Sequence, residues 1–270
     1  MGTLVMGVLN VTPDSFSDGG RWFSAKAAVA HGMHLLEQGA DILDVGGEST
    51  RPGADRPVEE EELDRVIPVI RELARAGARV SVDTMRASVA AQAVEAGAAI
   101  VNDVSGGLAD PRMAGVVASA GVPFVVMHWR GHSDFMQDRT SYDDVVADVC
   151  RALGERVSDL CARGVARDQL ILDPGLGFAK LAGHNWSLLA HLDALQSLGL
   201  PVLVGTSRKT FLGRLGIPEG GEPRPPAQRD AATAATTVIA ALAGVWGVRV
   251  HDVASSTDAL RVVAAVEAAR

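Results

Sequence analysis

Eight stretches of this chain run apolar until their last residue, end on a side chain capable of polar chemistry, and are each followed by a helix-forming stretch. The endings are Asn10, Asp44, Asp83, Asn102, His128, Asp173, the turn from Gly205 to Lys209, and the Arg249/His251 pair. A strand that is apolar along its whole body is buried on both faces, as in a parallel sheet covered by helices. Only its carboxyl end is then free to release a polar group. Eight such ends in succession predict a single (β/α)8 barrel, an α/β fold whose site gathers side chains from the C-terminal ends of different strands. The chain has 270 residues, against roughly 250 in a typical barrel of this kind. Residues 1–270 are therefore read as one domain.

The strand-like runs lie near Leu4 to Leu9, Ile42 to Val45, Val80 to Asp83, Ile100 to Asn102, Phe124 to His128, Leu170 to Asp173, Val202 to Val204 and Val248 to Val250. Amphipathic stretches such as Ala25 to Gln38, Glu59 to Ala76 and Arg86 to Ala96 separate them, most closing on the glycine that stops helices. Endings such as Ala76-Gly77-Ala78 and Ala96-Gly97-Ala98 mark the barrel bottom and belong to stability. Three connections, 11–23, 46–57 and 131–141, are longer than a barrel needs. All follow strand C-termini, where long irregular loops are usually functional, and lids are the natural expectation.

Charge and cysteine content remove several classes of partner. The net charge is −8 and no basic run exceeds two residues, so the field of the chain repels a phosphodiester backbone. Nucleic acid is not an expected partner. No 18 apolar residues run uninterrupted, and the N-terminus enters a strand without a charged, cleavable leader. A cytosolic protein with no membrane contact is expected. Cys150 and Cys161 fall in one helical stretch, Tyr142 to Arg163, where a rise of about 1.5 Å per residue holds them roughly 16 Å apart. They are ordinary thiols.

Several strings carry more information than composition: NVTPDSFSDGG from Asn10, DVGGESTRPG from Asp44, SVDT from Ser81, Asn102-Asp103, DPGLGF from Asp173, GTSRK from Gly205, and Arg249-Val250-His251. In motif, order and spacing they resemble the dihydropteroate synthase family of pterin-binding enzymes, from Met6 to the last helix. The resemblance implies condensation of 6-hydroxymethyl-7,8-dihydropterin diphosphate with p-aminobenzoate, giving 7,8-dihydropteroate and diphosphate. It also implies magnesium as cofactor, a homodimer and competition of sulfonamides with p-aminobenzoate. Family members carry further residues that plug the barrel bottom ahead of the first strand, and here three residues precede it.

A flat 2-amino-4-oxopterin offers neighbouring N–H donors, which a carboxylate meets with paired, charge-assisted hydrogen bonds. Asp173 is the candidate, because Pro174 and Gly175 break the chain before any helix that it could cap. The resemblance adds Asp83, Asn102 and Lys209 around the ring edge, and Met127 and Phe178 against its faces. For Asp83 a helix N-cap is an equally good reading. Arg249 and His251 alternate along the last strand and point the same way. With Asn10, Thr50 and Arg51 they would receive the diphosphate, and the resemblance makes Asn10 a ligand of the magnesium ion, which commonly takes few protein ligands.

The implied mechanism is dissociative, since an arylamine needs no strong base and the motifs contain no Ser/His/Asp or Cys/His couple. Phe16 and Asp18 in the first loop, and Arg51 and Pro52 in the second, would close over the site and form the p-aminobenzoate slot. The start of a helix after Ser207-Arg208-Lys209 would take the carboxylate, with Thr210 giving a hydroxyl. The catalytic set is then Asp18, Arg51, Lys209, Arg249 and His251. Weaker signals are read structurally: His31 and His34 as a solvated helix face, Arg208 as a surface ion-pair residue, and Glu59 to Glu62 as an acidic first turn. Three other activities compete: a pterin-dependent methyltransferase, a catalytically silent pterin-binding paralogue, and a Schiff-base aldolase using Lys209. The aldolase is the weakest, because a helix start on the rim would leave that amine solvated and protonated.

Overall fold

The computed structural model describes residues 2–12, 20–48, 57–131, 140–218 and 220–270. Its strands are β1 (Leu4–Asn10), β2 (Ile42–Gly46), β3 (Val80–Asp83), β4 (Ile100–Asp103), β5 (Phe124–Met127), β6 (Leu170–Asp173), β7 (Leu203–Val204) and β8 (Gly247–Val250). They form one parallel sheet in the order β6-β5-β4-β3-β2-β1-β8-β7. A parallel bridge between Leu172 and Val202 joins the two ends and closes the ring. The fold is the (β/α)8 barrel expected from the sequence.

The connecting helices are α1 (Gly20–Glu37), α2 (Glu59–Arg75), α3 (Ala87–Glu95), α4 (Met113–Ala120), α5 (Val145–Ala162), α6 (Ala182–Ala190), α7 (Leu192–Gln196), α8 (Thr210–Gly213), α9 (Asp230–Leu242) and α10 (Val253–Ala268). The fifth starts three residues later than its apolar pattern suggests, because the Asp144 carboxylate accepts from the backbone N–H groups of Val146 and Ala147 and caps it. Gly97 shows why glycine ends these helices. Its φ is +111°, and a Cβ there would lie 2.7 Å from that of Ala74. No helix among the described residues is long and apolar enough to cross a membrane.

Side chains alternate along each strand, so each strand feeds two cores. The outward set packs against the helices. The inward set, Met6, Ile42, Ile100, Val125, Ile171 and Leu203, forms a separate apolar cluster inside the barrel, with Leu4 and Trp246 packed against it. Trp246 immediately precedes β8, and Gly247 lets Leu4 and Leu203 approach the backbone beside it. These residues close the barrel bottom. Truncating Trp246 to alanine is expected to lower the unfolding free energy by about 2–4 kcal/mol, read by urea denaturation, while turnover at the opposite end persists. Lost turnover at unchanged stability would contradict this division.

Candidate active site

The parity that buries Ile42, Ile100, Val125 and Ile171 carries their successors two residues on to the carboxyl end, still facing inward. Register sets the rim: Asn10 lies beside Gly46, Gly46 beside Asp83, Asp83 beside Asn102, and Met127 beside Asp173. The sequence candidates Asn10, Asp83, Asn102, Met127, Asp173 and Arg249 thus meet at one mouth. His128 does not. Because Val125 and Met127 face inward, His128 falls on the outer face of the sheet, buried against Lys180 at 3.0 Å.

Arg249 organises one side of the mouth. Its Nε donates to Asp44 Oδ2 at 2.6 Å and its Nη2 to Asp83 Oδ2 at 2.7 Å. The Asn102 amide donates to the same oxygen of Asp44 at 3.0 Å. Asp44 is fully buried and Asp83 is 8% exposed. Burial pushes the Asp83 carboxyl up to about 7, against the pull of Arg249 and with repulsion from Asp44. Burial alone would weaken the guanidinium's hold on its proton, yet the two carboxylates outweigh it and raise Arg249. Asp83 is no helix cap: α3 begins after Arg86, with no side-chain cap. Asp44 ends an apolar run like the others, but nothing in its sequence context marks it as the holder of a guanidinium 205 residues away.

The opposite side is built by the connections after β6 and β7. Asp173 Oδ1 accepts from the Gly175 N–H at 2.7 Å. Gly175 has φ +65°, and a Cβ there would lie 2.4 Å from the His128 carbonyl oxygen. No other residue fits. Lys209 donates to the Leu176 carbonyl, and its Nζ sits 4.5 Å from the centre of the Phe178 ring. Asp173 Oδ2 and Lys209 Nζ are each 3.9 Å from the point a Cβ on Gly205 would occupy, so glycine at 205 keeps a space between them. Burial raises the Asp173 carboxyl, with Lys209 opposing. Burial likewise brings Lys209 down to about 8, with Asp173 opposing. The amine is therefore not solvated as a helix start on the rim would imply, because the connection after β6 folds over it. At neutral pH the protonated, donating form still predominates.

Ser207 and His251 form a couple that their separate motifs do not announce. The His251 backbone N–H donates to Ser207 Oγ at 3.0 Å, and Oγ lies 2.9 Å from His251 Nδ1. With the hydroxyl proton directed at Nδ1, the imidazole carries its own proton on Nε2 and is a neutral donor. Burial, followed by the positive charge of Arg249, pushes its pKa down to about 3. So weak a base cannot activate the serine, which keeps the pair out of the nucleophilic class. Arg208, which follows Ser207 in the chain, has φ +59°, a conformation that non-glycine residues hold only when neighbours enforce it. Asp230 binds its guanidinium through two hydrogen bonds of 2.8 Å, and Arg229 holds its carbonyl. Thr210 is exposed at the start of α8, a helix of a single turn.

Phe16, Asp18, Thr50, Arg51 and Pro52 lie outside the described residues. The run from Glu59 to Glu62 does more than face a dipole. Glu62 is fully buried, accepting from the Thr84 hydroxyl at 2.6 Å and pairing with Arg86, while Glu61 pairs with Arg65 at 2.5 Å. His34 is exposed beside Glu37, and no metal-binding cluster of His, Cys, Asp or Glu occurs among the described residues. A groove of about 700 Å³ between α5 and the α6–α7 pair, lined by Tyr142, His184 and His191 among others, lies outside the barrel mouth.

Carboxylates and an amide on one side, a lysine and an aromatic ring on the other, and an arginine with a neutral histidine between them suit a flat heterocycle carrying an anionic group. A family model described as pterin binding enzyme matches residues 6–251, and the chain belongs to that family. Over 262 residues, covering 97% of this chain and 92% of the relative, it is 55% identical to a dihydropteroate synthase of Mycobacterium leprae. The solved dihydropteroate synthase of Xanthomonas albilineans with 4-aminobenzoic acid superimposes with a TM-score of 0.90 at 48% identity, covering 99% of this chain and 94% of that one. The structure of the enzyme from the same organism in complex with 7,8-dihydropteroate gives 0.87 at 46% identity over the same shares.

The depressed His251 pKa has a measurable consequence. A base whose folded pKa lies below its unfolded value of 6.5 stabilises the fold above pH 6.5, and that stability is lost as pH falls towards about 3. Asp83 and Asp103, with raised values of about 7 and 6, act in the opposite sense, so a difference curve is needed. The unfolding free energy of the parent minus that of His251→Asn is expected to drop by about 2 kcal/mol between pH 7 and pH 4.5. A flat difference over that window would mean the imidazole is solvated.

Proposed function

We infer that this chain condenses 6-hydroxymethyl-7,8-dihydropterin diphosphate with p-aminobenzoate, releasing diphosphate and forming 7,8-dihydropteroate. The observation that carries this reading is the convergence of Asp83, Asn102, Asp173, Lys209, Arg249 and His251, from five separate βα units, on one barrel mouth. It occurs on a chain more than half identical to a dihydropteroate synthase.

Asp173 meets the N–H edge of the pterin through Oδ2, its other oxygen being engaged by Gly175. Asn102 and Asp83 reach the same ring from β4 and β3, and Lys209 donates to its acceptor edge. Met127 and Phe178 take its faces. Arg249 and the Nε2–H of His251 face the departing anion. The carbon–oxygen bond to diphosphate breaks with its electron pair leaving on the phosphate oxygen, and the electron-rich ring stabilises the methylene cation. The neutral arylamine then attacks and loses one proton to solvent. A weakly basic His251 and a protonated Lys209 fit a step that needs donors rather than a strong base.

Phe16, Asp18, Thr50, Arg51 and Pro52 are assigned to the p-aminobenzoate slot and the closing loops, since their segments follow β1 and β2, whose last residues stand at the mouth. Thr210 is assigned to the p-aminobenzoate carboxylate. Magnesium fits the donor chemistry at Asn10, whose Oδ1 shares the space above Gly46 with Asp83 Oδ2. One neutral oxygen beside a carboxylate, without a protein cage, suits an ion that retains water and takes phosphate oxygens. When bound it would neutralise charge on the diphosphate. A homodimer is supported by exposed Ile239 and Leu242 on α9 and Val262 and Val266 on α10, two helices packed together, and sedimentation would test it.

Diphosphate release should require the pterin substrate, magnesium and p-aminobenzoate together over multiple turnovers. Pterin binding without turnover would instead identify a silent paralogue. Asp173→Asn should weaken pterin binding by about 1.5–3 kcal/mol, because an amide donor then faces a ring donor. Unchanged affinity by titration calorimetry would remove Asp173 from the site.

A further inference from the structure

Lys180 has no place in the chemistry above, yet it is 7% exposed and lies directly behind the pterin site. Its ammonium donates to the Gly175 carbonyl at 3.0 Å, the Phe178 carbonyl at 3.1 Å and His128 Nδ1 at 3.0 Å. Burial brings the Lys180 pKa down to about 7, and in the ammonium form its three N–H donors match these three neutral acceptors. The loop it holds is costly to form. Gly175, Gly177 and Ala179 all have positive φ, and Ala179 at +47° pays the penalty of a Cβ. Two further tethers grip the loop, Tyr142 donating to the Ala179 carbonyl at 3.0 Å and Asn185 accepting from the Gly177 N–H at 2.6 Å.

Three residues between Gly175 and Ala179 turn other groups toward the mouth. The Gly175 N–H holds Asp173, the Leu176 carbonyl receives Lys209, and the Phe178 ring lies under that ammonium. We propose that Lys180 is a positioning residue for pterin recognition, fixing the loop from Gly175 to Ala179 from behind so that Asp173, Lys209 and Phe178 present one preformed edge and face. Removing the ammonium takes the lysine donor from the Phe178 carbonyl and leaves the Gly175 carbonyl with only the Phe178 N–H, and the loop must relax to satisfy them. His128 completes the cage as an acceptor, which explains a polar residue on the outer face of β5.

The proposal rests on the pterin assignment made above, so its test carries controls for both. Pterin affinity by fluorescence titration, steady-state kinetics and thermal melts are to be compared for Lys180→Met, Lys180→Gln, Asp173→Asn and Phe178→Ala. Lys180→Met should raise the KM and Kd for the pterin substrate by on the order of ten- to a hundredfold, with kcat at saturation within about threefold of the parent. Lys180→Gln retains two N–H groups for the two carbonyls and should lose less. It decides the matter alone if the methionine variant does not fold, with an affinity within about threefold of the parent and a lowered melting temperature counting against the proposal and a larger affinity loss for it. Normal pterin affinity in Lys180→Met, while Asp173→Asn and Phe178→Ala bind weakly, would overturn the positioning role. Normal affinity in those two controls would overturn the pterin assignment itself.

Discussion

A guanidinium set among buried carboxylates must be matched by their charge, and the mouth of this protein is arranged around that requirement. Arg249 projects from β8 into the space enclosed by β2, β3 and β4, where Asp44 and Asp83 receive it and Asn102 steadies Asp44. Breaking such a buried pair strands a charge and is strongly destabilising, so the four side chains behave as a unit. Because they belong to four strands, the unit also fixes where those strands end relative to one another. Apolar residues fill the barrel beneath it and Trp246 closes the far end, so polar chemistry is confined to a single layer and the rim above.

Within that layer the two halves differ in electrostatic character. On the β2–β4 side, two carboxylates share one cation, and burial holds Asp83 close to its titration point. On the β6–β7 side, Asp173 and Lys209 face one space across Gly205, each opposing the effect of burial on the other. This asymmetry suits a heterocycle with donors on one edge and acceptors on another, while burial and the charge of Arg249 keep the His251 imidazole neutral beside Ser207. The chain supplies preformed dipoles and charges and no strong base, which agrees with a reaction whose difficult event is departure of an anion.

Much of this architecture was legible from strand alternation. Apolar runs with polar ends gave the barrel, and the ends at Asp173 and Arg249 lie around the same space beside Gly205. Parity also explains the failure at His128: the run continues one residue too far, and Met127 is the inward end. Asp83 was undecidable locally, since an aspartate before a helix fits both a cap and a site, and only Arg249, far along the chain, chooses between them. Glu62, Lys180 and the Ser207–His251 couple escaped detection for the same reason. Their roles depend on burial and on partners supplied by other βα units, and a local pattern of charge reports neither. The notion that Lys209 stood in solvent failed because the loop that covers it comes from the preceding unit.

The interaction between Arg249 and Asp83 is directly measurable by a double-mutant cycle on folding stability, using Arg249→Met, Asp83→Asn and the double variant. If the buried unit organises the mouth, the coupling free energy should be about 2–4 kcal/mol. Effects that simply add, within about 0.5 kcal/mol, would show that the two side chains act independently and that the mouth is held together by something else.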